Sequence, residues 1–135
     1  MENDRERLTE VAGLYGLRLV VLYGSYARGA AGGGSDLDIA VLGCPAGAYL
    51  DCYQSLSHSF PGHTLDLVRL ESADALFRYE IMRDAVLLYG DPDLFCEYRA
   101  FAYRDFVDSA DLLALEETLS QKKLEQIKEQ LYGPS

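Results

Sequence analysis

The amino-acid sequence predicts the α/β fold class in its mixed α+β form: a small mixed sheet flanked by helices and followed by a helical C-terminal part. Short apolar segments alternate with helical periodicities over residues 17–90, which form the expected core. Helical periodicity alone covers residues 91–132. The chain has 135 residues, of which 49% are hydrophobic and 25% charged. These values are typical of one folded domain, so a single domain is predicted over residues 1–135.

The first elements are a helix over residues 3–16 and a strand over residues 17–24. Apolar residues recur at helical spacing in the first segment, and Gly16 is a typical C-terminal stop. The next segment, LRLVVLYG, is short and apolar, has valines at its centre and ends at a glycine, as a buried strand does. LDIAVLG predicts a second strand at residues 37–43.

Helix and strand alternate again in the middle of the chain. One side of residues 46–60 is apolar, and the segment FPGH then ends this helix. TLDLVRL, residues 64–70, alternates as a strand that places Leu65 and Leu67 on one face and Asp66 on the other. A helix from Ser72 to about residue 83 and a short strand in DAVLLYG complete the predicted core.

The C-terminal part is predicted to be a long or broken helix from residue 91 to about residue 119, followed by a charged amphipathic tail. Its many aromatic residues are expected mainly to pack helix against sheet. Leu124, Ile127 and Leu131 form an apolar stripe along the tail. We expect this stripe to pack on its own domain, with contact to another chain as the alternative.

The formal net charge is -10, from 22 acidic and 12 basic residues. This charge argues against broad attraction to DNA, RNA or anionic membranes and favours a basic partner protein. Four arginines, Arg28, Arg69, Arg78 and Arg83, could still gather around one polyphosphate. The charged N-terminal segment has no apolar signal region, and no apolar run is long enough to span a bilayer, so a cytoplasmic protein is expected.

The stretch GSYARG follows the first strand and predicts an anion site. A strand, a Gly-Ser pair and a short helix place free backbone N–H groups and a hydroxyl at a helix N-terminus. Gly24 permits close approach of the backbone, Ser25 can donate to a phosphate oxygen, and Arg28 adds charge one turn later. The triple glycine at residues 32–34 would turn the chain back into the next strand.

Asp36 and Asp38 are two residues apart on the second strand and therefore point to the same face, roughly 6.8 Å apart along it. Asp66, from a neighbouring strand, would bring a third carboxylate to the same site. Carboxylates gathered in this way need protons, cations or much water, and Mg²⁺ is a cation that accepts their oxygens together with phosphate oxygens. In a two-ion site Asp36 and Asp38 would bridge both ions, while Asp66 would bind one and accept the proton of an incoming hydroxyl.

GSYARGAAGGGSDLDIAV resembles the GSxxRG...SDxDxxV signature of the minimal nucleotidyltransferases of the DNA polymerase beta superfamily, and LDLV resembles their strand with the third carboxylate. The LLYG segment and the DPDLFCEYRAFAYRDFVD helix further resemble the MNT antitoxins encoded beside HEPN ribonuclease toxins. One departure is the GGG segment, where many relatives have a bulkier loop with proline.

The resemblance implies a polymerase-beta-type fold and a transfer of AMP from ATP to a tyrosine hydroxyl of a cognate HEPN toxin, which neutralises the toxin. It implies two Mg²⁺ ions on the three aspartates and ATP on the motif residues Gly24, Ser25, Arg28 and Ser35. The partner would be the toxin, with which the chain could form an oligomer. A membrane or a directly bound nucleic acid is not among the expected partners.

Two other functions stay open from the sequence. The acidic charge and the aromatic helix also suit a non-catalytic binding module that neutralises a partner by covering it. A nucleotidyltransferase acting on a small molecule or on RNA ends is less favoured. The chain lacks the extra domain that such substrates usually need in the superfamily, and its charge opposes RNA.

Overall fold

The computed structural model describes residues 2–29 and 36–132, so the predicted turn at residues 32–34 and Ser35 lie outside the described residues. The helices are α1 (Glu2–Tyr15), α2 (Gly24–Ala27), α3 (Tyr49–Ser59), α4 (Ala75–Arg83) and α5 (Pro92–Tyr132). The strands are β1 (Leu19–Tyr23), β2 (Leu37–Leu42), β3 (Leu65–Arg69) and β4 (Val86–Gly90). Short 3-10 turns at Ala46–Ala48 and Leu70–Ser72 precede α3 and α4. The elements follow one another in the predicted order.

The strands form one mixed sheet in the order β3-β2-β1-β4. β2 runs parallel to β3, whereas β1 is antiparallel to both β2 and β4. The two parallel strands are joined by the crossover helix α3, as parallel pairing requires. The predicted α+β class with a small mixed sheet is confirmed.

Helices cover both faces of the sheet. On one face, β2 and β3 pack through Ile39, Val41, Leu65 and Leu67 against α1 and α3. On the other face, residues such as Leu19, Val21 and Ala40 pack against α4 and α5. Because side chains alternate along a strand, Asp38 and Asp66 belong to the same face as Ala40 and Val68 and project toward the side of α4 and α5. The prediction that Asp66 lies opposite Leu65 and Leu67 is confirmed.

α5 is one continuous helix of 41 residues. Neither glycine nor proline occurs from residue 93 to residue 132, so nothing in the sequence breaks the helix or turns it back. Residues 111–131 are all exposed, and Leu124, Ile127 and Leu131 contact no core. The expectation that the tail packs on its own domain is therefore wrong, because the unbroken helix carries it about 30 Å along its axis away from the part that is buried.

The aromatic residues of α5 only partly follow the prediction. Phe95 is buried and Tyr98 packs against the core. Phe101 and Tyr103, in contrast, are exposed by 40% and 56%. The helix therefore buries its aromatics on one side only. Within residues 2–29 and 36–132, no helix is long and apolar enough to cross a membrane.

Candidate active site

Asp38 and Asp66 lie side by side in the sheet. They are direct register partners of the parallel pair β2 and β3, so their side chains leave the sheet on the same face. Asp38 is half-buried and Asp66 is exposed. Asp36 is exposed and directly precedes β2. The strand pairing thus brings together two carboxylates that are 28 residues apart in the chain.

In the part of the chain that the structure describes, negative charge outweighs positive charge around Asp38. The pKa of the Asp38 carboxyl is raised above its usual value, first by burial and then by the negative charges of Asp66 and Asp36. A side-chain hydrogen bond with Asp66 raises it further. The positive charge of Arg28 acts in the opposite direction and is the weakest of these influences. Among the described residues, the influences that favour the neutral form of the Asp38 carboxyl therefore outweigh that of the arginine that favours its charged form.

The Gly-Ser turn packs directly on Asp38. Gly24 has a φ of +74°, a conformation that favours glycine, and a Cβ placed on it would overlap Asp38 Oδ2 and lie 3.1 Å from Asp38 Cγ. Ser25 lies in the single turn of α2, and Arg28 ends that turn by donating its backbone N–H to the Gly24 carbonyl at 3.2 Å. The predicted anion-binding turn and the predicted carboxylates are thus one site.

Tyr23 is a further neighbour of the pair, and no sequence pattern had indicated it. It is the register partner of Asp38 on β1, and its ring meets Phe77 of α4 edge-on at 6.2 Å between centroids. Burial, followed by the charges of Asp38 and Asp66, raises the pKa of its hydroxyl well above the usual range. Its position directly before Gly24 in a strand adjacent to the carboxylates was the signal that could have identified it.

Two tyrosines of α3 hold the strand that carries Asp66. The Tyr49 hydroxyl donates to the Leu67 carbonyl at 2.6 Å, and the Tyr53 hydroxyl donates to the Leu65 carbonyl at 2.9 Å. These bonds lie on either side of Asp66 along the outer edge of β3. The spacing of four residues between Tyr49 and Tyr53 placed them on one helix face, but the sequence did not show that this face meets an edge strand.

The donor chemistry of the site fits a hard cation. The carboxylate oxygens of Asp38 and Asp66 are the ligands that Mg²⁺ prefers, and their uncompensated charge is what such an ion would neutralise. In the part of the chain that the structure describes, however, no three His, Cys, Asp or Glu side chains are grouped as a ready metal site. The assignment of Asp36 as a third ligand stays a prediction.

The four arginines do not gather around the site as the sequence suggested they could. Arg69 donates to the Cys44 carbonyl and to Ser72, and Arg78 donates to Asp105 and to the Leu70 carbonyl. Arg83 pairs with the adjacent Asp84. These three guanidinium groups are used to fix loops and helix ends, and Arg28 is the one of the four whose charge reaches Asp38.

Residues 6–93 match the family model of polymerase beta nucleotidyltransferases. The chain belongs to the polymerase beta nucleotidyltransferase family. The match covers β1 to β4 and thus includes the turn at Gly24 and all three aspartates. No curated protein sequence matches the chain.

Several solved structures share the fold of this nucleotidyltransferase. A chain of a toxin–antitoxin complex with AMP-PNP is 21% identical and superposes with a TM-score of 0.65 over 90% of this chain and 98% of that one. A structure of a tri-AMPylated Shewanella oneidensis HEPN toxin in complex with its MNT antitoxin gives 19% identity and a TM-score of 0.60, over 92% and 98% of the two chains. A protein described as a minimal nucleotidyltransferase is 26% identical, with a TM-score of 0.53 over 63% of this chain and 89% of that one.

Proposed function

We propose that this nucleotidyltransferase transfers AMP from ATP to a tyrosine hydroxyl of a HEPN-type toxin and thereby acts as an antitoxin. The observation that carries the proposal is the contact of Gly24 with Asp38, whose register partner is Asp66. A turn able to bind phosphate and a pair of carboxylates able to hold a cation occupy the same end of the sheet. The family membership agrees with this chemistry.

In this proposal the triphosphate of ATP binds at the turn after β1. Gly24 lets the backbone approach the phosphates, Ser25 donates its hydroxyl, and Arg28 supplies positive charge. Arg28 is exposed and lies near enough to Asp38 to influence its pKa, so it can reach a ligand bound against that carboxylate. Ser35 is included among the proposed nucleotide-binding residues only because it is the serine of the SDxD motif.

Asp36, Asp38 and Asp66 would hold Mg²⁺, two ions in the full site. When bound, Mg²⁺ supplies the positive charge that neutralises the carboxylates and the phosphates. Asp38 is held in one position by Gly24 on one side and by its register partners on β1 and β3. Asp66 is exposed, so it is the carboxylate of the pair that an acceptor arriving from solvent can approach.

The reaction then needs one proton acceptor and one leaving group. The acceptor hydroxyl oxygen forms a bond to the α-phosphorus of ATP, the bond from that phosphorus to the bridging oxygen breaks, and pyrophosphate leaves. Asp66 accepts the proton of the hydroxyl as a general base. The product is a tyrosine that carries AMP.

The proposed partner follows from the relatives and from charge. One structure with the same fold contains an AMPylated HEPN toxin in complex with its MNT antitoxin, and another is a toxin–antitoxin complex with AMP-PNP. The net charge of -10 suits a basic RNA-binding partner, with which the chain would form a complex in the cytoplasm. Tyrosine as the acceptor and ATP as the donor rest on the sequence resemblance.

The proposal is tested by incubating the chain with labelled ATP, Mg²⁺ and the protein encoded by the neighbouring gene. That protein should become labelled, and the Asp36→Asn/Asp38→Asn variant should leave it unlabelled. Omission of divalent cations should have the same effect. Labelling that survives the double substitution would reject the assignment of these carboxylates.

A second candidate function is neutralisation by binding alone, without catalysis. The observation that favours it is the long exposed part of α5, whose leucines are free to cover a partner. Under this function the Asp36→Asn/Asp38→Asn variant would protect cells from the toxin as well as the wild-type chain does at equal expression. Under the first function the same variant would fail to protect them.

A further inference from the structure

An apolar groove lies between the start of α4 and the middle of α5, on the same side of the sheet as Asp38. It has a volume of about 310 Å³. Its lining is mainly apolar, with two polar residues, and includes Asp74, Leu76, Phe106, Ser109, Ala110 and Leu113. Two of its leucines, Leu76 and Leu113, are exposed by 53% and 62%. Leucines this exposed on both walls of a groove are typical of a surface that is covered by another molecule.

The groove is connected to the candidate active site through two residues. Asp38 pairs with Tyr23 across the sheet, and the Tyr23 ring contacts Phe77. Phe77 is the next residue after Leu76 and is itself 37% exposed. The groove therefore begins one residue away from a side chain that packs on Tyr23, the register partner of Asp38.

The apolar surface continues along α5 beyond the groove. Leu112, Leu115 and Leu119 are each more than half exposed, and they lie on the side of the helix away from Leu113. Exposed leucines therefore lie on two sides of this part of α5. An occupant that covers both groups of leucines would contact α5 on both of these sides.

The charge around this surface indicates which kind of protein binds there. Residues 105–117 of α5 contain five acidic residues and no basic one. Asp74, at the N-cap of α4, adds a further carboxylate at the groove. A complementary partner would carry lysines and arginines beside its apolar residues.

We propose that the groove formed by Leu76, Phe106, Ala110 and Leu113 docks the acceptor protein, a basic protein with exposed apolar residues, and brings its hydroxyl to Asp66. This inference rests on the proposed function for the identity of the acceptor. It adds the surface that selects the acceptor, which is separate from the residues that bind the nucleotide.

The test uses the full-length chain, the protein encoded by the neighbouring gene and the variants Leu76→Glu and Leu113→Glu. Leu14→Glu is the matched control, because Leu14 is 75% exposed on α1, which packs on the opposite face of the sheet. Each groove variant should weaken partner binding about tenfold or more and reduce AMP transfer in proportion. The affinity for a fluorescent ATP analogue should stay unchanged, and the control should bind both as the wild-type chain does.

The docking proposal would be overturned if both groove variants bound the partner as tightly as the wild-type chain does. It would also be overturned if the wild-type chain did not bind the protein encoded by the neighbouring gene. Sedimentation could also show that the wild-type chain is a dimer and that Leu113→Glu makes it a monomer with its partner affinity intact. The surface would then be a contact between copies of this chain, which contradicts the proposal. The wild-type chain could also bind no ATP while the groove variants lose partner binding. That result would support the docking surface and reject only the transfer of AMP.

Discussion

Gly24 and Asp38 are in direct contact, and this contact joins the turn that is proposed to bind phosphate to the carboxylates. Gly24 has a positive φ, and its missing Cβ leaves the space that the Asp38 carboxylate occupies. Any other residue at position 24 would both strain the backbone and displace the carboxylate. The motif glycine therefore serves two physical purposes, and they can be separated by experiment.

Gly24→Ala is expected to lower the free energy of unfolding by about 1 to 3 kcal/mol and to weaken nucleotide binding at least about tenfold. The matched control is Gly16→Ala, because Gly16 has a φ of +70° with no atom within 4 Å of a Cβ placed on it. This control should lose about 1 to 2 kcal/mol of stability and keep its affinity for nucleotide. Denaturant unfolding and titration with a fluorescent ATP analogue measure both quantities. Equal nucleotide affinity in the two variants would show that the contact with Asp38 is unimportant.

Tyr49→Phe removes the hydroxyl that holds the Leu67 carbonyl next to Asp66. We expect a stability loss of about 1 kcal/mol and a fall in the rate of AMP transfer of about tenfold, because the strand carrying Asp66, the proposed general base, becomes less fixed. Tyr15→Phe is the control, since it also removes a tyrosine hydroxyl from a hydrogen bond, here one of 3.0 Å with Ser55 that joins α1 to α3. If both variants lose the same stability and keep the same rate, Tyr49 has a structural role only.

Asp38→Asn should make the protein more stable in the absence of divalent cations while abolishing the transfer of AMP. Asp38 and Asp66 are direct cross-strand partners, and like charges in such pairs are destabilising by up to about 1 kcal/mol. Asp108→Asn, at an exposed position on α5, should change stability by less than about 0.5 kcal/mol. Thermal unfolding in EDTA compares the two. A loss of stability in Asp38→Asn would mean that the carboxylate makes favourable contacts that outweigh the repulsion.

Deletion of residues 120–135 should leave the stability of the domain within about 0.5 kcal/mol of the full chain, because none of residues 120–131 is buried. Nucleotide affinity should also be unchanged. Affinity for the partner should fall, since Leu124, Ile127 and Leu131 would be lost from the apolar surface of α5. A clear drop in the melting temperature would contradict the exposed position of the tail.

Much of the fold could be predicted because each element carries its own local signal. The period of two in TLDLVRL was enough to place Asp66 opposite Leu65 and Leu67, and glycines marked the ends of α1 and β1. The position of the α5 tail could not be predicted in this way. An amphipathic stripe such as Leu124, Ile127 and Leu131 shows that a helix has an apolar face, but it does not say which chain covers that face.

The site was predictable in its parts and less so in its assembly. Asp66 was predicted to join Asp36 and Asp38 from a neighbouring strand, but its exact register with Asp38 depends on the pairing of β2 with β3, which no local pattern encodes. The contacts of Tyr23 and Tyr49 with this region depend on the same pairing. The arginines were misplaced because charge alone does not distinguish a guanidinium that binds a ligand from one that fixes a carbonyl, as Arg69 and Arg78 do.

The most direct test of the account is mass spectrometry of the neighbouring gene's product after incubation with ATP, Mg²⁺ and either the wild-type chain or its Asp66→Asn variant. Asp66 is exposed, so this variant should fold and should still bind nucleotide. We predict that the wild-type chain adds AMP to a tyrosine of the product and that Asp66→Asn adds none. Addition of AMP by the variant at the wild-type rate would contradict the central claim that the paired carboxylates of β2 and β3 perform the transfer.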